Sequence, residues 1–324
     1  MRPGGGGPSQ RPPGGGSRAF KLSGAYTLNG ATAATTNQTY TSATEDVSAI
    51  LVSGGGNLTL VNPTIKTSGG SSSTENSSFY GLNAAVLATS SSQITIQGGS
   101  VTTSGRGANG LFATGAGASV SMTGGSITAT GGGGHGVMAT AGAMLTLTNV
   151  NIATTSERAA PVATDRGGGT IIVSGGKMRS AGRGSPGIYS TGKITACNAE
   201  FISTGAEAAV IEGRNSISPV NCTLTGAARC GVMVYQSFSG DAEGREGTYT
   251  MTGGSLTATA GPLFFVTNTK GIITLKGVKA SATSGILVKA GVDRWGRTGS
   301  NGGRAVFTAD EQTRAVGAIL DKAG

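Results

Sequence analysis

Two carboxylates stand at positions that could support acid–base chemistry. The chain of 324 residues has only 15 Asp and Glu, and Asp165 in TDRGGG and Glu212 in VIEGRN each follow a short apolar segment of a recurring pattern. If these segments are strands of stacked coils, the two carboxylates lie two coils apart, roughly 9–10 Å along the axis. An inverting glycoside hydrolase places its acid and its base up to about 9.5 Å apart, around a water molecule. Glycoside hydrolysis is therefore the reaction against which the sequence has to be tested.

Further polar side chains follow the equivalent segments of neighbouring coils, so we expect them on the same face. The candidate binding residues are Asp165, Arg166, Glu212, Arg214, Tyr235, Gln236 and Asn268, with Asp241 reaching over them from an inserted loop. A calcium site or a fuller acid–base apparatus would need a cluster of acidic residues, and the sequence contains none. We expect no catalytic residue. The set is either a surface ladder of paired charges that fastens corner loops or a ligand-binding patch.

Metal and cofactor chemistry have little support in the sequence. There is one histidine, His135, and three cysteines, Cys197, Cys222 and Cys230, without regular spacing. Neither a zinc site nor a disulfide framework is predicted from them. Gly-rich runs occur without the GxxxxGK[ST] sequence of a phosphate loop, and no nucleic-acid-binding motif is present. We expect no metal, no cofactor and no specific nucleic-acid partner, and we expect the cysteines to be small buried thiols.

The elements that would position the candidate residues form an internal repeat. ITIQGGSVTTSG from Ile94, VSMTGGSITATG from Val120 and YTMTGGSLTATA from Tyr249 share an apolar–hydroxyl–apolar triplet, a Gly pair and a second Thr-rich run. A further strand precedes each unit. The predicted first residues of these strands are Ile50, Val86, Leu111, Val137, Val162, Ile188, Val210, Val232, Leu263 and Ile286. The interval of roughly 25 residues predicts about ten coils of three short strands each.

A single type of corner recurs two residues after the triplet. The nine positions are Asn62, Gly98, Gly124, Asn149, Gly175, Asn198, Asn221, Gly253 and Gly277. Gly has no Cβ and Asn can bond locally, so these residues enter the left-handed backbone region most easily. We predict a positive φ at all nine corners.

Stacked three-stranded coils form a parallel β-helix, in which each coil buries its apolar side chains against its neighbours. Period-two alternation directs the apolar residues of each triplet inward and the hydroxyl outward. Parallel crossovers are overwhelmingly right-handed. The predicted fold class is therefore all-β, a right-handed parallel β-helix (solenoid) of about ten coils. A β-sandwich is the alternative, and the regular corner disfavours it.

Composition divides the chain into three parts. Residues 1–18 are rich in Gly, Pro and Arg and are predicted to be a disordered arm rather than a secretion signal. Residues 19–305 are predicted to form the β-helix, beginning with an irregular first coil. Residues 306–324 are expected to be a tail or cap, either a lid on the final coil or a segment that docks on another subunit. No apolar run approaches the about 20 residues that span a bilayer.

Several longer segments resemble a known group of proteins. FYGLNAAVLAT from Phe79, GSPGIYSTGKIT from Gly184, VYQSFSGDAEG from Val234 and DRWGRTGSNGG from Asp293 are similar to segments of right-handed β-helix repeat proteins of bacteria, akin to autotransporter and adhesin passenger domains. The resemblance covers most of residues 20–305. It implies the fold and a cell-surface or extracellular location, but no reaction. Relatives continue with further strands where this chain has DEQTRAVGAILDKAG, which implies a shortened or differently capped C-terminus.

These observations favour a non-enzymatic function. We expect an extracellular or cell-surface structural protein or adhesin, forming a homo-oligomer or filament through coil ends, because such ends leave strand edges unpaired. The formal net charge of +9 suits acidic polysaccharide as a partner. The alternative is a carbohydrate-active or carbohydrate-binding β-helix with its site on the face of Asp165, Glu212 and Tyr235. Outward Thr pairs would suit ice binding, but Arg179 and Ala181 interrupt that row.

Overall fold

The stacked coils are present in the structure, a computed structural model that describes residues 21–237, 244, 246–293 and 302–322. Within these residues lie three all-parallel sheets of 12, 11 and 11 strands, named sheets A, B and C below. The chain visits the three sheets in turn and then returns to the first, one coil further along the axis. The prediction of a parallel β-helix, or β-solenoid, is confirmed.

The strands are short and nearly uniform within each sheet. Sheet A consists of β1 (Ser23–Asn29), β4 (Val47–Ser53), β7 (Val86–Thr89), β10 (Leu111–Thr114), β13 (Val137–Thr140), β16 (Val162–Thr164), β19 (Ile188–Ser190), β22 (Ala209–Glu212), β25 (Val232–Tyr235), β28 (Phe264–Thr267), β31 (Ile286–Gly291) and β34 (Ala318–Lys322). Sheet B consists of β2 (Thr32–Thr36), β5 (Asn57–Val61), β8 (Gln93–Gln97), β11 (Ser119–Thr123), β14 (Met144–Thr148), β17 (Thr170–Ser174), β20 (Lys193–Cys197), β23 (Ser216–Val220), β26 (Gly247–Thr252), β29 (Lys270–Lys276) and β32 (Arg304–Ala309). Sheet C consists of β3 (Thr39–Ser42), β6 (Thr64–Thr67), β9 (Ser100–Thr103), β12 (Ser126–Ala129), β15 (Asn151–Thr154), β18 (Lys177–Ser180), β21 (Glu200–Ser203), β24 (Thr223–Gly226), β27 (Ser255–Ala258), β30 (Lys279–Ala282) and β33 (Arg314–Ala315).

Both ends of the described solenoid extend the predicted register. The ten predicted first strands correspond to the sheet A strands β4 to β31, and β1, β2 and β3 form a coil before them. That coil is more regular than the sequence suggested, because β1 pairs with β4 from Ser23 opposite Val47 to Asn29 opposite Ser53. At the other end, β32, β33 and β34 pair in parallel with β29, β30 and β31. The described part of the predicted tail therefore lies in strands of the solenoid.

The interior is a continuous stack of apolar side chains, as the alternation predicts. In β5, Leu58 and Leu60 are fully buried while Thr59 between them is half-buried on the outer side. Leu58 lies opposite Ile94 of the next coil, and Ile94 opposite Val120 of the one after. Each apolar residue thus meets a similar one above and below, which removes apolar surface from water along the whole axis.

The corners between sheets B and C confirm the prediction of positive φ at every one of the nine positions. The values lie between 50° at Asn221 and 70° at Gly175, and Asn37 adds a tenth corner with φ of 55°. Successive asparagines also bond to one another, since Asn62 Nδ2 donates to Asn37 Oδ1 at 2.9 Å. The repeated corner therefore keeps consecutive coils in register.

The outer face of sheet A departs from the simple alternation. Outward residues Leu87, Phe112 and Met138 lie opposite one another on successive strands, and all three are fully buried. A helix that the sequence did not predict, α1 (Thr74–Tyr80), lies in the insertion before β7. Gly81, which ends it at a φ of 78°, lies so close that a Cβ there would be 2.8 Å from the Phe112 ring. The helix and its cap therefore cover this part of the sheet.

The corner at Gly124 offers a test of backbone strain separate from crowding. No atom lies within 4 Å of the position that a Cβ would take there, and φ is +68°. We expect G124V to lower the unfolding free energy by about 1–3 kcal/mol, because a β-branched residue is strained in this region. G124N is the matched control and should stay near wild type, since Asn occupies the equivalent corner of other coils. Equal melting curves for wild type and G124V would contradict this account.

His135 lies in a corner between sheets C and A as a hydrogen-bond acceptor. Its Nδ1 accepts from the backbone N–H of Ala160 at 3.0 Å, and its own backbone N–H donates to Asn109 Oδ1 at 2.8 Å. Although part of the residue remains accessible, burial of the imidazole lowers the pKa of His135 from 6.5 to about 4. The ring is therefore neutral in the folded chain at neutral pH.

This lowered pKa predicts a loss of stability in mild acid. Between about pH 6.5 and pH 4 the unfolded chain binds a proton that the folded chain does not, so stability falls as the pH is lowered. We expect the free energy of unfolding, measured by denaturant titration, to be about 1 kcal/mol lower at pH 5.5 than at pH 7. H135N keeps an acceptor for Ala160 but does not titrate, so its stability should differ little between the two pH values. An equal pH dependence in both proteins would assign the effect to other groups.

Candidate functional site

The ends of the sheet A strands place the candidate residues in one row. Glu212 ends β22 and lies opposite Tyr235, which ends β25, and Tyr235 lies opposite Thr267 of β28. Asp165 directly follows β16, two coils before Glu212. The parallel register brings these strand ends to the same edge of sheet A, as the sequence predicted. What the residues do there differs from one to the next.

Glu212 lies at the centre of a buried polar cluster. The residue is 2% exposed, and Tyr235 Oη donates to its Oε2 at 2.8 Å. Tyr189 Oη donates to the same oxygen, and Ser237 Oγ donates to Oε1. We call Tyr189, Glu212, Tyr235 and Ser237 the Glu212 cluster. Three hydroxyl groups thus replace the water that a buried carboxylate loses, which is the condition for burying such a charge.

Both tyrosines are held in the protonated form by their surroundings. Burial raises the pKa of Tyr189 well above its usual value, and electrostatic interactions with Tyr235 and with the Glu212 and Asp165 carboxylates raise it further. Burial likewise raises the pKa of Tyr235, with the Glu212 carboxylate as the next cause. A protonated phenol can only donate to a carboxylate, so both tyrosine hydroxyls donate to Glu212.

The Tyr189 ring anchors the Glu212 cluster to the outer face of sheet A. It packs both against the apolar group around Phe112 and Met138 and against a second group around Met233 and Phe265. An outward register position therefore gives a half-buried aromatic ring whose hydroxyl reaches the next coil. Neither Tyr189, which was predicted only as part of a strand, nor Ser237 was among the predicted site residues. The only signal for Tyr189 was a large aromatic residue at an outward strand position.

Asp165 and Arg166 serve different neighbours. Asp165 Oδ1 accepts from the backbone N–H of Arg166 at 2.8 Å, which shapes the turn after β16. The Arg166 guanidinium lies 3.9 Å from the centre of the Phe79 ring and 4.0 Å from Glu75 Oε1. Arg166 therefore contacts α1, through a cation–π interaction with Phe79 and a long ion pair with Glu75, and does not pair with Glu212.

The remaining candidates lie around the chain that leaves β25. Asn268, at a φ of 53°, donates from Nδ2 to the backbone oxygen of Gln236 at 2.6 Å. Arg214 is exposed and lies under Gly244, where an added Cβ would be 2.9 Å from Arg214 Cβ. Asp241 lies outside the described residues. Asn268 and Gln236 thus fix a loop, whereas Arg214 presents a guanidinium to solvent.

A second buried carboxylate lies on the opposite edge of sheet A and was not predicted. Glu207 is 2% exposed, and its Oε1 lies 3.1 Å from Arg229 Nε. Cys230 is buried beside this pair, and burial, followed by the Glu207 charge, raises the pKa of its thiol well above the usual value. Cys222 is also buried and Cys197 is half-exposed, and all three cysteines are free thiols. An inert thiol is the expected state of Cys230.

Two further observations bound the chemistry of this face. In the part of the chain that the structure describes, no group of three or more His, Cys, Asp or Glu could hold a metal ion. No helix among the same residues is long and apolar enough to cross a membrane.

Comparison with known proteins adds no family. The chain matches no known family model and no curated protein. The resemblance to bacterial β-helix proteins therefore stays a prediction as to family and origin. What stands in the structure is the solenoid of parallel coils.

The bond between Tyr235 and Glu212 can be measured by a double-mutant cycle. We expect Y235F to lower the unfolding free energy by about 1.5–3 kcal/mol, because the lost bond goes to a charged acceptor. Y249F is the matched control, since the buried Tyr249 hydroxyl donates to the weak acceptor Met251 Sδ at 3.4 Å, and it should cost less. In an E212Q background the cost of Y235F should shrink by about 1 kcal/mol or more. The same cost in both backgrounds would show that the pair is not coupled.

Proposed function

We propose that the chain is a non-enzymatic structural protein of the adhesin type, working outside the cell or at its surface. The observation that carries the proposal is the state of Glu212, a carboxylate buried under three hydroxyl donors. A general base needs a lone pair directed at the proton that it removes, within hydrogen-bond reach of a bound substrate or water. The oxygens of Glu212 are instead directed at Tyr189, Tyr235 and Ser237. This geometry suits a scaffold better than a reaction.

The second carboxylate of the pair also supports a structural role. Asp165 is half-buried, and Oδ1 accepts from the next backbone N–H, at Arg166. A glycoside hydrolase needs one carboxyl group that delivers a proton and one that activates water or attacks the sugar. With Glu212 enclosed by hydroxyl donors and Asp165 bonded within a turn, the pair suits a structural role better than acid–base catalysis.

A carbohydrate-binding role without turnover is the second candidate. Arg166 and Arg214 are both exposed at the edge of sheet A that carries Glu212. Guanidinium groups bind carboxylates in a fork geometry, and the chain has a formal net charge of +9. An acidic polysaccharide laid along this edge of sheet A would meet both arginines, which lie two coils apart. Binding of this kind is compatible with the adhesin proposal.

A panel of neutral and acidic polysaccharides separates these functions. The full chain is incubated with each polymer, and both reducing-sugar release and binding are measured in the same samples. We expect no release from wild type, D165N or E212Q, and salt-sensitive binding of acidic polymers that is weakened in R166A and R214A. R183A is the control, because Arg183 is also exposed but pairs with Glu157 at another corner. Release by wild type that is lost in both D165N and E212Q would establish a hydrolase instead.

A further inference from the structure

In the part of the chain that the structure describes, the first coil of the solenoid has an edge without the usual protection. From Leu22 to Thr44 the sequence contains no charged residue and no proline. Core-facing Tyr26, Leu28 and Tyr40 are only partly buried against the main core. Edge strands are normally blunted by charges, prolines or bulges, and an edge without them pairs with another chain. β1, β2 and β3 together offer such an edge on three sides of the coil.

The backbone groups on this edge point along the axis. Asn57 N–H donates to Ala31 O, and Asn37 N–H donates to Val61 O, so residues 31 and 37 direct their polar groups at the second coil. Because these groups alternate sides along a parallel strand, those of Ala34 face the open edge. Ala34 is also exposed, with its side chain on the outer face. Within the described residues, this edge therefore directs backbone donors and acceptors at outward positions away from the solenoid.

The last described coil presents the complementary edge. Arg304 N–H donates to Thr269 O, and Arg314 N–H donates to Val278 O, so outward residues bond to the preceding coil. By the same alternation the polar groups of Ala305 and Ala315 face away from the solenoid. Ile319, opposite core residue Val288, is 66% exposed. At this end, the backbone N–H and C=O groups of inward residues therefore point away from the solenoid. In the interior coils, the same groups bond to the following coil.

The strand counts determine how one end would fit the other. Within the described residues sheet A has 12 strands while sheets B and C have 11 each, so the last coil ends one strand beyond a whole number of coils. A second copy placed in line, sheet A on sheet A, would leave its β2 and β3 a whole coil away from β32 and β33. A copy rotated by one third of a turn lays β1 on β32, β2 on β33 and β3 on β34. All three edges then meet at the ordinary spacing of about 4.8 Å.

We propose that the β1–β3 edge of one chain docks on the β32–β34 edge of a second copy, rotated by one third of a turn about the axis. The last described coil of the same chain presents three strand edges of the complementary polarity at the corners of one coil, so the partner that fits is a second copy of this chain. The contact joins unlike ends, so it does not close and builds a filament. It is independent of glycan binding and goes beyond the function proposed above.

A proline substitution removes one backbone N–H donor from an open edge, so the contribution of each end to the contact can be tested separately. A34P removes a donor on the first edge and A315P removes one on the last edge, and neither N–H bonds within the solenoid by the alternation above. Proline is tolerated at such edge positions, and melting curves like that of wild type would show that both variants fold. Mass is followed by sedimentation over a concentration series of the full chain, together with negative-stain microscopy.

The outcomes distinguish the possible contacts. We expect wild type to grow with concentration into rods, each variant alone to stay monomeric, and an equal mixture of the two to stop at twice the mass of one chain. The mixture stops there because A34P keeps only the last edge intact and A315P keeps only the first edge intact, so one chain of each forms a single contact. A wild type that stays monomeric throughout would overturn the proposal. So would A315P dimerising alone, which would show pairing of two first edges, or A34P dimerising alone, which would show pairing of two last edges.

Discussion

The parallel backbone ladder between coils is the constraint on which the rest of the structure depends. Each strand bonds to the strands one coil below and one coil above, at about 4.8 Å, so the backbone path of a corner must be repeated in every coil. The corner between sheets B and C meets this condition with Asn or Gly at positive φ, from Asn37 to Gly277. A corner of another shape would displace the strands on both of its sides. For this reason corners tolerate fewer residue types than the outward strand positions do.

Repetition also explains which parts of the fold could be predicted. The triplet, the alternation and the corner each recur in coil after coil, so the ambiguity of one short segment is removed by the others. The helix α1 had no such support. It occurs once, has seven residues, and depends on local caps, with Ser73 Oγ accepting from Asn76 N–H and Gly81 in the left-handed region. In a Ser-rich insertion without apolar periodicity these caps were too weak a signal to predict a helix.

For the candidate site, the sequence could predict which residues lie at equivalent positions of successive strands, but not where their side chains point. Glu212 and Tyr235 end successive strands of sheet A, so their proximity follows from the repeat itself. Arg166 shares that row, but its side chain turns to Phe79 of α1, an element that the sequence did not predict. Tyr189 was missed because alternation places it outward, where a strand residue is normally in water. Its burial depends on the apolar outer face of sheet A, which is a tertiary property.

The Glu212 cluster shows how that outer face is held together. A lone buried carboxylate would be costly, but here the donors come from the coils on both sides, Tyr189 from the preceding one and Tyr235 from the following one. The carboxylate therefore links three consecutive coils through side chains, outside the backbone ladder and outside the apolar interior. A catalytic carboxylate keeps an oxygen for the substrate, whereas this one directs its oxygens at protein hydroxyls. The same buried charge that first suggested an enzyme is thus better explained as a clamp between coils.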